Sequence, residues 1–105
     1  MAVVTVIYPR EPDATFDFDY YVQHHLPLLM QRWEPSGLEA VEALRGVAGA
    51  DGGQPPFLAQ ALLRFSSMQS FQAAISGEHM QEIIGDIRNF TSAQPIVQVN
   101  EAIRA

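Results

Sequence analysis

The chain has 105 residues, a size that suits one domain, with 12 acidic against 6 basic residues and a formal net charge of −6. It has no cysteine, which excludes disulfides, thiolate nucleophiles, iron–sulfur clusters and cysteine-held zinc. It has no lysine either, every basic residue being arginine, which excludes Schiff-base chemistry on a lysine and the usual attachment of pyridoxal phosphate.

No basic run is present to attract nucleic acid, and no apolar stretch is long enough to span a bilayer. The chain opens on a strand-like run without a charged region ahead of it, so the expectation is a cytoplasmic protein with neither nucleic acid nor membrane as partner. Ala2–Tyr8 is rich in β-branched residues and apolar on both faces, the pattern of a strand covered on both sides. Pro9 and Pro12 mark the turn-like connector that runs to Ala14.

Phe16–Glu34 reads as the first helix, with Phe18, Val22, His25, Leu29 and Trp33 as one stripe and Asp17 or Thr15 as cap. Pro27 removes the bond to the Gln23 carbonyl and predicts a kink rather than a stop. Pro35–Gly37 ends the helix. Leu38–Val47 alternates loosely as a second strand, and the glycine- and proline-rich stretch Arg45–Pro56 is a long connector.

Phe57–Phe65 is the clearest strand. Phe57, Ala59, Ala61, Leu63 and Phe65 form one face, which should lie under helices. Leu58, Gln60, Leu62 and Arg64 form the other, which should meet a cavity or another sheet. Ser66-Ser67-Met68-Gln69 fits a capping box that opens a helix buried through Met68, Phe71, Ala74 and Ile75. Ser76-Gly77 breaks it. Glu78–Asn89 is a further helix with Met80, Ile83, Ile84 and Ile87 inward, and Ile96–Val99 is the last strand.

The order β-α-β-β-α(α)-β is that of the split βαβ: an α+β, ferredoxin-like domain over residues 1–105 with a four-stranded antiparallel sheet. Helices on one side leave the other sheet face bare. Leu58, Leu62 and either Ile96 or Val97 make that face partly apolar, which predicts a homodimer formed through it.

The chemistry-bearing segment is Phe16–Leu29. Tyr21 and His25 lie four residues apart on one helix face; Tyr20 and His24 form a second such pair. The two histidines project about 100° apart and cannot share a metal, and neither has a histidine or carboxylate three or four residues away, so no metal site is expected. His25 lies on the apolar stripe, where an imidazole can act as general acid or base and a tyrosine one turn back can orient it or donate to a substrate oxygen. A buried histidine satisfied by a backbone carbonyl or by Tyr21 has the same signature. His24 is expected at the surface.

Arg64 on the mixed strand face is a candidate for binding an anionic substrate or for pairing across a dimer. His79 with Glu82 reads as a solvated helix face, and Asp17 and Asp19 as helix-start carboxylates. Phe65, Phe71, Phe90 and Trp33 read as core. No nucleophile elbow, P-loop or dinucleotide fingerprint is present.

The segment FDFDYYVQHHLPLL resembles the signature of the EthD-like family: an aspartate and paired tyrosines, here Tyr20-Tyr21, followed by a histidine, here His25, two residues before Pro27. Asp86-Ile87-Arg88-Asn89-Phe90-Thr91, followed by Pro95, resembles the family's motif ahead of the last strand. The likeness runs from Val3 to Glu101. It implies a dimeric α/β barrel made by sheet-to-sheet pairing, as in muconolactone isomerases, some polyketide cyclases and small monooxygenases, with a pocket between helices and sheet.

The resemblance implies a binder of a small apolar or aromatic molecule. One form is a cofactor-independent isomerase, cyclase or related degradative enzyme, with His25 as acid/base and Tyr21 as its partner on a small cyclic or lactone-like substrate. Tyr20, Arg64 and Phe65 would be substrate contacts. The alternative is a non-catalytic accessory protein that holds a ligand for a partner oxygenase, in keeping with the family's association with ether degradation. A haem-linked monooxygenase is a third reading, for which His24, His25 and His79 are the nitrogen ligands on offer. No cofactor is expected.

Overall fold

The computed structural model describes residues 1–103. Strand β1 (Ala2–Pro9) is followed by a helical segment made of α1 (Phe18–Tyr20), a π-helical turn (Tyr21–His25) and α2 (Leu26–Trp33). A 3-10 turn (Glu34–Ser36) leads to β2 (Leu38–Arg45), then come β3 (Phe57–Phe65), α3 (Met68–Ile75), α4 (Met80–Ile87) and β4 (Ile96–Asn100). The strands form one antiparallel sheet in the order β2-β3-β1-β4, the ferredoxin-like arrangement expected from the element order.

Asp17 caps the first helical turn, its side chain accepting from the Tyr20 N–H at 3.1 Å. The proline in this segment does not act as a simple kink. Leu26 N–H bonds the Tyr21 carbonyl, five residues back, so the helix widens into a π turn just before Pro27 and then continues. The wide turn accommodates a residue that has no N–H and whose ring crowds the preceding turn. The buried stripe is also revised. Tyr21, His25, Leu29 and Trp33 point inward, and Val22 is exposed. Gly37 closes the 3-10 turn at φ 115°, and a Cβ there would sit 2.5 Å from Ser70 Oγ, so this turn requires glycine on both counts.

The even residues of β1 and the odd residues of β3 face the helices. Phe65 is fully buried, its ring centroid 6.0 Å from Trp33 and 5.5 Å from Phe71, and it closes one half of the core with Val4, Leu38 and Leu63. A second cluster gathers Tyr8, Tyr21, Ala59, Phe90 and Ala93. Leu58 joins this cluster instead of facing out. It is the extra residue at a bulge, because Tyr8 pairs with Ala59 and Pro9 with Phe57.

Several local readings are corrected. Ser67, not Ser66, caps α3, and its Oγ accepts from the Ser70 N–H at 3.0 Å. Met68 is exposed, and Ile75 and Ile84 are only partly covered, because α3 and α4 leave an opening above β4. His79 lies 3.6 Å from Glu78, while Glu82 pairs with Arg32 at 2.8 Å.

The opposite sheet face carries the row Leu44, Gln60, Ile7 and Ile96 across all four strands, beside the row Glu42, Leu62, Thr5 and Gln98. Ile96, not Val97, faces this side, since Val97 lines the interior. Among the described residues no helix is long and apolar enough to cross a membrane.

Candidate functional site

A cavity of about 620 Å³ lies between the sheet and the helices. Its floor is Val4, Val6, Tyr8, Ala61, Leu63 and Val97; the helical segment contributes Tyr21, His25, Leu29 and Trp33; α4 and the loop after it form the lip. The volume falls within the range of pockets that enclose small organic molecules, and the walls are mainly apolar, the usual character of such sites.

His25 is 3 % exposed, and its Nδ1 lies 2.9 Å from Asp86 Oδ2. An ionised carboxylate only accepts, so Nδ1 carries the proton and Nε2 keeps its lone pair. Asp86 is itself held on its other oxygen. The Tyr20 hydroxyl donates to Oδ1 at 2.5 Å, and Asn89 Nδ2 donates to the same atom at 3.0 Å.

Residues 61 apart in sequence meet here because the chain is stitched just beyond them. Phe16 and Thr91 form an isolated β-bridge. Asp17 N–H donates to the Phe90 carbonyl at 2.7 Å, and Thr91 Oγ1 donates to the Thr15 carbonyl at 2.7 Å. These bonds fix the end of α4 against the start of the helical segment, and Asp86 is one turn back from them. Phe90 packs into the same corner, 4.6 Å from the His25 ring and 4.9 Å from the Tyr21 ring.

Burial lowers the His25 pKa from its ordinary value, against the opposing hydrogen bond and charge of Asp86, so the imidazole is neutral near pH 7. For Asp86, burial pushes upward, but the hydrogen bonds from Tyr20, Asn89 and His25 prevail and hold the carboxyl below its ordinary value. The pair is therefore a neutral imidazole oriented by a carboxylate, the arrangement of a general base. Tyr21 stacks on His25 with ring centroids 5.8 Å apart, and burial raises its phenol far above neutrality. Among the described residues its hydroxyl is buried without a hydrogen-bond partner, as is the Trp33 Nε1. An unmet buried polar group costs about 1–3 kcal/mol, so each of these donors gains from any water or ligand acceptor that reaches it.

His25 and Tyr21 thus share the cavity wall. The other expected substrate contacts do not. Tyr20 turns to Asp86 and lies outside the cavity lining. Arg64 sits on the opposite sheet face, in the row of Ala40, Val3 and Asn100. Phe65 is on the helix-facing side but beneath Trp33 and Phe71, in the closed half of the core. His24 is exposed, its ring tilted by 33° against that of Tyr20 with centroids 4.7 Å apart. Among the described residues no group of three or more His, Cys, Asp or Glu side chains converges as a metal site. Sequence reasoning about local spacing missed Asp86, Asn89 and Tyr8. The only signal for the first two was the motif ahead of β4.

No family model and no curated protein matches the chain. Solved structures do. An EthD-like protein from Ralstonia eutropha JMP134 is 36 % identical, with 95 % of this chain and 89 % of that one covered at a TM-score of 0.87. An ethyl tert-butyl ether D (EthD) family protein from Bacillus halodurans C-125 is 20 % identical over 98 % of this chain and 99 % of that one, TM-score 0.76. SnoaB, a cofactor-independent oxygenase from Streptomyces nogalater, shares the fold at 10 % identity over 99 % of this chain and 93 % of that one, TM-score 0.61. The Ralstonia protein carries the relationship in sequence as well as in fold: this chain belongs to the EthD-like family.

Proposed function

We propose that the protein binds a small, largely apolar molecule and moves a proton on it without a cofactor, as an isomerase, a cyclase or a related degradative enzyme. The observation that carries this reading is the buried His25–Asp86 pair in the wall of an apolar cavity. A carrier that serves a partner oxygenase needs only the apolar walls. A histidine retained for packing alone would be satisfied by a backbone carbonyl, whereas this one is held by a carboxylate that three donors keep ionised. A fold relative that works as an oxygenase without a cofactor is in keeping with chemistry done by side chains alone.

The test is deuterium wash-in from D2O into a panel of small lactones and cyclic ketones, followed by proton NMR. Wild-type protein should catalyse it, and His25→Asn should slow it by about 10²–10⁴-fold. Binding without wash-in, or wash-in that survives in His25→Asn, would favour the carrier and end this reading.

The working form is proposed to be a homodimer closed through the bare sheet face. Leu62 is partly buried there, while Leu44 is 47 % and Ile96 54 % exposed, an apolar strip that a second copy of the sheet would cover. A charge in the middle of that face, Leu62→Asp, should convert dimer to monomer in sedimentation equilibrium. A wild-type protein that sediments as a monomer would exclude the dimer.

A further inference from the structure

Tyr8 plays no part in the proton transfer described so far, yet it stands on the cavity floor facing Tyr21. It is the last helix-facing residue of β1 before the bulge, 2 % exposed, and its strand neighbour is only Ala59. The small side chains of Ala59 and Ala61 keep the floor beside it low. The Tyr8 ring meets the Tyr21 ring edge-on, at 6.1 Å and 83°. The Tyr8 phenol is raised first by burial and then by the proximity of the Tyr21 oxygen, so both groups stay protonated and can only gain by donating to a ligand oxygen. The Tyr21 hydroxyl has no partner among the described residues. Trp33, whose Nε1 is the other unpartnered donor among the described residues, lies twelve residues further along the helical segment, so its backbone is about 18 Å away at the helical rise.

Resting on the proton-transfer reading, we propose that Tyr8 and Tyr21 together form an oxyanion site beside His25, and that the substrate is a carbonyl compound with an acidic C–H next to its carbonyl. The step balances without any co-reactant. The C–H bond breaks and its proton forms an N–H bond at His25 Nε2. The electron pair left on carbon becomes a C=C bond, and the carbonyl π pair moves to oxygen. The resulting enolate oxygen is held by the two phenolic hydrogens. Where a C=C bond lies next to the acidic carbon, the enolate is a dienolate, and return of the proton from Nε2 to its far carbon completes an isomerisation. Attack of the enolate carbon on a second carbonyl of the same molecule forms a C–C bond and moves that carbonyl's π pair to its oxygen, and the proton from Nε2 passes to that oxygen to complete a cyclisation. Donors set in advance in a dry site stabilise the charge where it develops, the usual source of the largest share of catalysis.

The probe is 4-nitrophenol, whose phenolate imitates the enolate oxygen and is read by its absorbance. 4-Nitroanisole, which has the same ring and no ionisable oxygen, reports the intact cavity. Titrations are run in the His25→Asn protein, so that the imidazole cannot take the proton. There, Tyr8→Phe and Tyr21→Phe should each weaken phenolate binding by about ten- to a hundredfold and raise the apparent pKa of the bound phenol, with 4-nitroanisole binding unchanged. Phenolate affinity that ignores both hydroxyls, or a wild-type protein that takes up neither probe, overturns the oxyanion site. The two readings fail separately. Loss of wash-in in His25→Asn with tyrosine-independent phenolate binding removes only this site. Tyrosine-dependent phenolate binding with wash-in untouched by His25→Asn removes only the base.

Discussion

Replacing Asp86 by asparagine should lower proton-transfer activity by about 10³–10⁴-fold while leaving the fold in place, comparable to removal of the orienting carboxylate in other His–Asp pairs. The reason lies in the bonding on each side of the carboxylate. Oδ1 receives two donors, the Tyr20 hydroxyl and Asn89 Nδ2, whereas Oδ2 meets only His25 Nδ1. An asparagine at this position satisfies the two donors by turning its carbonyl oxygen toward them. Its amide nitrogen then faces His25 and donates to Nδ1. That selects the other tautomer, with the proton on Nε2 and no lone pair toward the cavity.

The pH profile gives a second handle on the same change. Burial lowers the His25 pKa and Asp86 raises it in opposition. In the wild type the base form is present at neutral pH and is lost as pH falls through that lowered value. Without the Asp86 charge only the lowering influence remains, so the acid limb moves to lower pH even as the plateau drops. Nitrogen-15 NMR of the imidazole reads the tautomer directly. A His25 that keeps its proton on Nδ1 in Asp86→Asn, with undiminished wash-in, would show that the carboxylate does not orient it.

The parts of the molecule legible in sequence are those governed by short-range patterns. The alternation in Phe57–Phe65 gives β3 its observed bounds, and the run of β-branched residues gives β1 nearly so. Tyr21 and His25 share a face because residues four apart do so in either an α or a π turn. The site's other half is not local. Asp86 reaches His25 only because the Phe16–Thr91 bridge and the bonds around it bring two distant segments together, and no periodicity encodes that meeting. Arg64 lies on the mixed face expected of it, away from the cavity, and Phe65 misses the cavity for a related reason. Alternation tells which residues share a face of β3, but the cavity does not run under the whole strand. It opens over Ala61 and Leu63 and stops before Phe65, where Trp33 and Phe71 have already filled the space. Val22 lies outside the core because the π turn, invisible to a 3.6-residue count, changes which side chain follows Phe18 inward.

Phe65→Ala should destabilise the protein by about 3–5 kcal/mol, visible as a lowered urea midpoint with little change in slope. Phe65 is the one large aromatic with no exposed surface, and it is gripped from three sides. Trp33 and Phe71 pack on its ring, and Ala2 and Leu38 flank it as its pairing partners in β1 and β2. Ala2 is too small to move into the space, and Leu38 is fixed by the turn at Gly37. The void would therefore persist instead of collapsing, which puts the cost toward the upper end of what aromatic truncation does. Since small domains have a total stability of about 5–15 kcal/mol, a loss of this size leaves a large unfolded fraction on mild heating. The same variant separates packing from recognition. Phe65 lies outside the cavity, so the protein that remains folded should bind 4-nitroanisole with wild-type affinity. A loss below about 1 kcal/mol would mean that the core repacks around the missing ring. A loss of probe affinity in the folded fraction would return Phe65 to the binding wall.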